Sequence, residues 1–165
     1  EVGTSSGVNA KTMLEQCQNI SKLYLVANYL TCPDFEDQEV QDKCLEEVTS
    51  KFKNEPKVNL MLDSSLEVSK KFNNESVDFV YLDANHTYKC ISEDILAWLP
   101  KIKKGGMISG HDYDYEDHKD NKRLSVKDAT DDIFGHDVVE KHIDIYLQSI
   151  TKTSFNIDSD WWLFV

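Results

Sequence analysis

VDFVYLDANHTYKCISEDILAWLPKIKKGGMISGHDY, residues 77–113, contains a complete strand–helix–strand unit, and its reading decides the fold. Val77–Leu82 is a nearly continuous apolar run of the kind buried on both faces in a parallel sheet, and it ends at Asp83. From His86 to Leu99, Ile91, Ile95, Trp98 and Leu99 recur at helical spacing, and Pro100 with a lysine-rich turn to Gly105-Gly106 closes the segment. A second short strand, Met107–Gly110, follows. Strand, helix and strand at this spacing make a right-handed crossover, which places two parallel strands side by side with their carboxyl ends at one edge. Ligands of open parallel sheets bind at that edge, so the chemistry is expected in the residues that follow the strands.

The same alternation runs outward in both directions. Towards the amino end, Lys22–Leu30 reads as a strand and Asp34–Lys53 as a helix, with Val40, Cys44, Leu45, Val48 and Phe52 on one face. Lys57–Leu62 after Pro56 reads as a strand, and Ser64 or Ser65 caps a helix reaching Phe72. Towards the carboxyl end, His111–Asp120 lacks periodicity and reads as a loop, Ser125–Phe134 as a helix and Trp161–Val165 as a strand. No repeat or Pro/Gly-rich linker divides the 165 residues, so one domain over 1–165 is expected. The expected fold class is α/β, a doubly wound, mostly parallel sheet.

Charge narrows the partners. A net charge of −12 repels phosphates and anionic head groups, which disfavours a nucleic-acid or membrane partner and favours a small neutral or cationic ligand. No stretch approaches the roughly 18 apolar residues of a membrane span, and no signal peptide is evident. Cys17, Cys32, Cys44 and Cys90 have no metal-type spacing and fit free thiols in a cytoplasmic protein, although three N-x-[S/T] triplets (Asn19, Asn74, Asn85) point the other way. Because the chain starts at Glu1 and not Met, a fragment, a processed form or a trimmed chain is expected. A homo-oligomer is compatible with all of this.

The opening Glu1-Val2-Gly3-Thr4-Ser5-Ser6-Gly7 reads as the end of a truncated first strand turning into a helix near Val8 or Asn9. Its G-x-x-x-G spacing lacks the G-x-G-x-x-G of dinucleotide folds and the G-K-[S/T] of a phosphate loop. Taken with residues 77–113, it resembles the small-molecule O-methyltransferase-like branch of the class I S-adenosylmethionine-dependent methyltransferases. The shared features are a strand ending in Asp with a polar residue and His just beyond, a helix beginning T-Y-x-x-x-x-x-D, a Lys-x-Gly-Gly turn and a strand ending Gly-His-Asp-Tyr. Macrocin-type antibiotic-sugar O-methyltransferases and, more distantly, metal-dependent catechol methyltransferases share the pattern.

The resemblance implies a Rossmann-like class I methyltransferase fold with S-adenosylmethionine as cofactor. It places Gly3, Thr4, Ser5 and Gly7 against the methionine and ribose, Asp63 and Ser64 beside the adenine, and Asp83 facing the transferred methyl. Where the family usually carries an acid for the ribose hydroxyls, this chain has Ala27-Asn28; an amide can still bond a hydroxyl but lacks a carboxylate's charge. Transfer from sulfonium to oxygen requires in-line alignment and a proton acceptor, and a histidine, His86, is the candidate base. It could equally cap the following helix or sit on its exposed first turn. Asp83 and Asp112 end adjacent strands and are candidate ligands for Mg2+, with Asp114 a third.

The function expected is methylation of a hydroxyl on a small-molecule acceptor such as a sugar or polyketide. Another nucleophile, or a degenerate methyltransferase-like domain acting as a binding module, are the alternatives, the latter because of Ala27-Asn28 and the short first strand. A nicotinamide oxidoreductase is disfavoured by the G-x-x-x-G spacing. Trp98, Trp161 and Trp162 are expected in the core or at the sheet edge, and His136 and His142 at the surface.

Overall fold

The computed structural model describes residues 1–30, 37–113, 125–136, 138–143 and 159–165. Cys32, Pro33, Asp114 and His118 lie outside the described residues, as does the side chain of His142. The chain divides into two compact units, Glu1–Lys71 and Phe72–Val165.

In the first unit, Val2 forms a parallel bridge to Val26, the last residue of β1 (Leu23–Val26), and β1 pairs in parallel with β2 (Val58–Met61). Helix α1 (Val8–Gln16) lies in the chain between Val2 and β1, α2 (Gln38–Phe52) between β1 and β2, and α3 (Ser65–Ser69) follows β2. Asp37 starts α2 by accepting the Glu39 amide at 2.9 Å, which satisfies one of the amides a helix start leaves unpaired. Ala10, Leu23, Leu25, Tyr29 and Val48 form the core, with Leu14, Leu45, Phe52 and Leu60 packed against it. Val40, placed by periodicity on the same stripe, lies in the first turn of α2 and is exposed.

In the second unit, β3 (Val77–Leu82) pairs in parallel with β4 (Ile102–Gly110), joined by α4 (Tyr88–Trp98) and a single 3-10 turn at Leu99–Lys101 that Pro100 helps to close. α5 (Ser125–Phe134) follows. β5 (Glu140–Ile143) and β6 (Ser159–Phe164) add antiparallel strands in the order β3-β4-β6-β5. Val80, Leu82, Ile91, Ile95, Trp98, Ile108, Val126 and Trp161 are buried here.

The α/β class and its parallel pairings are as expected, and the helix Ser125–Phe134 and strand Val77–Leu82 have the expected bounds. Three differences have physical causes. β3 is buried on one face only: Val80 and Leu82 are covered, whereas Phe79 is 36% exposed and Tyr81 half-buried. β4 starts at Ile102, ahead of the glycine pair, because the register slips between Val77 and Phe79 and the lysine turn is absorbed into the strand as an irregularity. β5 carries no alternating signal of its own and is created by pairing with β6. No described helix is long and apolar enough to cross a membrane.

Candidate active site

The carboxyl ends of β3 and β4 bring four side chains together. Asp83 follows β3 and His111-Asp112 follow β4, while His86 lies in the short link before α4. The His86 Nε2 atom stands 3.4 Å from Asp83 Oδ1 and 3.4 Å from Asp112 Oδ2. His111 Nδ1 stands 3.3 Å from Asp112 Oδ1 and 3.9 Å from Asp83 Oδ1. Ligand atoms of Asp83, His86 and Asp112 all lie within 4.8 Å of one another.

Local chemistry explains the placement of His86. Asn85 Oδ1 accepts the Thr87 amide at 3.0 Å, and Thr87 takes the N-cap position of α4 in extended conformation, so the preceding histidine is directed away from the helix. With its side chain only 16% exposed, His86 is neither a cap nor part of an exposed first turn. Asp112 holds φ of 57°, a left-handed conformation uncommon outside glycine. Burial pushes its carboxyl up, but the hydrogen bond from His111 and the charges of His86 and His111 outweigh that and hold it below the usual carboxylate range. The bond to Asp112 pushes His111 up to about 9 against the opposing effect of burial, with the charges of Asp112, Asp83 and Asp160 adding to it. At neutral pH His111 is therefore a cation beside two carboxylates.

The first unit gathers the other expected residues along one edge. Val2, Val26 and Met61 are in parallel register, so Gly3, Ala27-Asn28 and Leu62-Asp63 all leave at carboxyl ends of neighbouring strands. Gly3 and Gly7 both have positive φ (88° and 74°), and Gly7 serves as N-cap of α1. Thr4 is buried with its hydroxyl donating to Glu1, whose other carboxylate oxygen accepts from Asn9 at 2.9 Å, so the Thr4 side chain is occupied within the fold. Asn28 is exposed, and its Oδ1 accepts the Leu30 amide at 3.3 Å. The Lys71 ammonium at 3.1 Å and then the Ser64 amide hold the Asp63 carboxyl low, while Ser64 Oγ caps α3 through the Glu67 amide at 3.3 Å. Ser5 is exposed at the tip of the turn.

Two residues of these clusters have no role assigned to them by the sequence. His111 stands in the Gly-His-Asp-Tyr motif and in the polar loop that it opens, and the structure holds it at the sheet edge, directly after the last residue of β4. Tyr29, read as the tail of a strand, is buried and bonds the Ser5 carbonyl at 2.6 Å; nothing in residues 22–30 signals this, since the contact spans 24 residues of chain.

Residues 1–113 match the family described as a methyltransferase domain. Among solved structures, spermidine synthase from Thermotoga maritima aligns with a TM-score of 0.62 and 15% identity over 99% of this chain and 51% of that one. A rRNA methylase from Streptococcus thermophilus aligns with a TM-score of 0.62 and 14% identity, covering 99% of this chain and 82% of that one. A protein described as a caffeoyl-CoA O-methyltransferase from Staphylococcus aureus gives 0.60 and 12%, covering 99% and 74%. At these identities the likeness is one of fold. The chain spans 61% of the length of a similar Corynebacterium glutamicum protein and about half that of the spermidine synthase. Among curated proteins, none matches.

Proposed function

Because this chain belongs to the methyltransferase domain family, we propose that it transfers the methyl group of S-adenosylmethionine to a hydroxyl of a small-molecule acceptor, of the sugar or polyketide type. We take residues 1–165 as one such domain, since the family match begins in the first compact unit and continues into the second, as far as residue 113. The observation that carries the reading is the position of His86 Nε2, 3.4 Å from each of two carboxylates at the ends of parallel strands. In the transfer, the acceptor oxygen forms a bond to the methyl carbon as the carbon–sulfur bond breaks. When bound, S-adenosylmethionine would supply the methyl group and depart as the neutral thioether, and the His86 imidazole would take up the hydroxyl proton. Asp83 and Asp112 orient that imidazole and stabilise its cationic form. The turn Gly3, Thr4, Ser5 and Gly7, with Asn28, Asp63 and Ser64, supplies the cofactor contacts of the first unit; Thr4 and Ser64, whose hydroxyls are already bonded, offer backbone groups there.

Mg2+ fits the same reading through Asp83 and Asp112, which offer hard oxygen donors. Bound there, the ion would polarise an acceptor hydroxyl and lower its pKa. A second arrangement, with His86 as a third ligand, is favoured by the grouping of all three ligand atoms within 4.8 Å and would suit a softer divalent ion.

Calorimetric titration with S-adenosylmethionine, S-adenosylhomocysteine and NAD, each with and without Mg2+, tests the class: the first two should bind and NAD should not. Absence of any binding would favour the degenerate module instead. His86→Ala should leave cofactor affinity within about twofold while lowering turnover by about 100-fold or more, the range expected for loss of a general base. Unchanged turnover would remove His86 as the proton acceptor.

A further inference from the structure

The turn Gly3–Gly7 is held in a costly conformation. Ser5 has φ of 44°, and the residue that braces it, Tyr29, has φ of 51°; neither is glycine. Two side chains driven into the left-handed region persist only when their surroundings over-determine them. Here the bracing is specific. Tyr29, only 5% exposed, donates its phenolic hydrogen to the Ser5 carbonyl at 2.6 Å. Burial first, then the charges of Cys44 and Glu1, push its phenol above the ordinary tyrosine range, so it remains a donor. Its own carbonyl accepts from Gln38 Nε2 at 3.0 Å, which ties Tyr29 to the first turn of α2. From the far end of α2, Lys51 Nζ donates to the Ser6 carbonyl at 2.6 Å, and Val48 and Phe52 close against Gly7. The tip of the turn faces outward while its carbonyls are held from behind.

We propose that Tyr29 is a positioning residue for the cofactor turn, whose hydroxyl holds the Ser5 carbonyl and so presets the Gly3–Gly7 backbone for the ligand. This rests on the reading of that turn as the S-adenosylmethionine contact. The physical argument is preorganisation. A turn fixed before the ligand arrives loses less conformational freedom on binding than one that must be ordered by it. Removing the hydroxyl alone leaves the ring in the core and releases the carbonyl, so the loss should appear in ligand affinity beyond any loss of stability. Lys51 is a weaker brace, because its ammonium is exposed to solvent.

The test compares the full chain with Tyr29→Phe, using S-adenosylhomocysteine as the probe in calorimetric titrations well below the unfolding midpoint of both. Backbone amide spectra covering residues 3–7 are recorded alongside. One neutral hydrogen bond corresponds to about 3- to 10-fold in affinity. Tyr29→Phe is expected to bind more weakly by that factor, with amide shifts at Ser5–Gly7 and with Lys51→Met changing affinity by less. If the unaltered chain binds the probe and Tyr29→Phe binds it equally well with unmoved amides, Tyr29 is only a core residue and the proposal is wrong. If the unaltered chain does not bind the probe, the cofactor reading itself fails and takes this inference with it.

Discussion

Gly110, the last residue of β4, shows how tightly the edge of the second unit is built. A methyl group there would lie 2.6 Å from the Leu82 carbonyl oxygen and 2.7 Å from the indole nitrogen of Trp161, a side chain with no exposure at all. Neither obstacle is a free side-chain end, so Gly110→Ala should cost about 1–3 kcal/mol, read as a lower urea midpoint with unchanged slope. A midpoint equal to that of the unaltered chain would mean that β4 and β6 separate more easily than their pairing implies. Residues of this kind were legible only in part. Asp83, His86 and Asp112 could be picked out because each follows a strand or precedes a helix that periodicity reveals. Tyr29 could not, and His111 was visible only as part of a motif, since their roles depend on where distant backbone comes to rest.

Helix α5 carries a buried carboxylate, Asp131, 6% exposed, that the sequence presents as one of many acids. Lys127 lies one turn earlier and pairs with it, His136 Nδ1 lies 3.1 Å away, and the Tyr113 hydroxyl donates to it at 3.4 Å. Burial alone would raise the carboxyl; the hydrogen bonds from Lys127 and His136, and their charges, win and lower it. A carboxyl lowered by folding contributes stability above its unfolded value, near 3.8, and loses that contribution as pH falls through the folded one. Urea unfolding should therefore show an acid-side fall in stability that Asp131→Asn flattens below about pH 4, by loss of the linked proton. An identical pH dependence in the variant would assign the acid sensitivity to other carboxylates. Elements with strong periodicity, such as β3 and α5, appear at their expected bounds. Those whose ends depend on pairing, such as β4, begin elsewhere, and β5 was not seen at all.

A charge of −12 over 165 residues means that the molecule attracts cations generally, so Mg2+ must be tested for a site and not for an atmosphere. At a concentration of the ion about 100 times its dissociation constant, a single site stabilises the folded chain by about 2.7 kcal/mol. The thermal midpoint should rise on adding Mg2+ at constant ionic strength, fall back with chelator, and stay unmoved in Asp112→Asn. An equal rise in that variant would point to general screening. From its sequence alone the chain is recognisable as an α/β protein whose parallel strands end in Asp83 and Gly-His-Asp, because apolar periodicity and turn chemistry act over a few residues and are written locally. Only the tertiary structure decided that His86 stands between two carboxylates, that Thr4 is turned inward to Glu1, and that Tyr29 holds the glycine turn. Those contacts join segments brought together by strand register and side-chain packing, which no local pattern encodes.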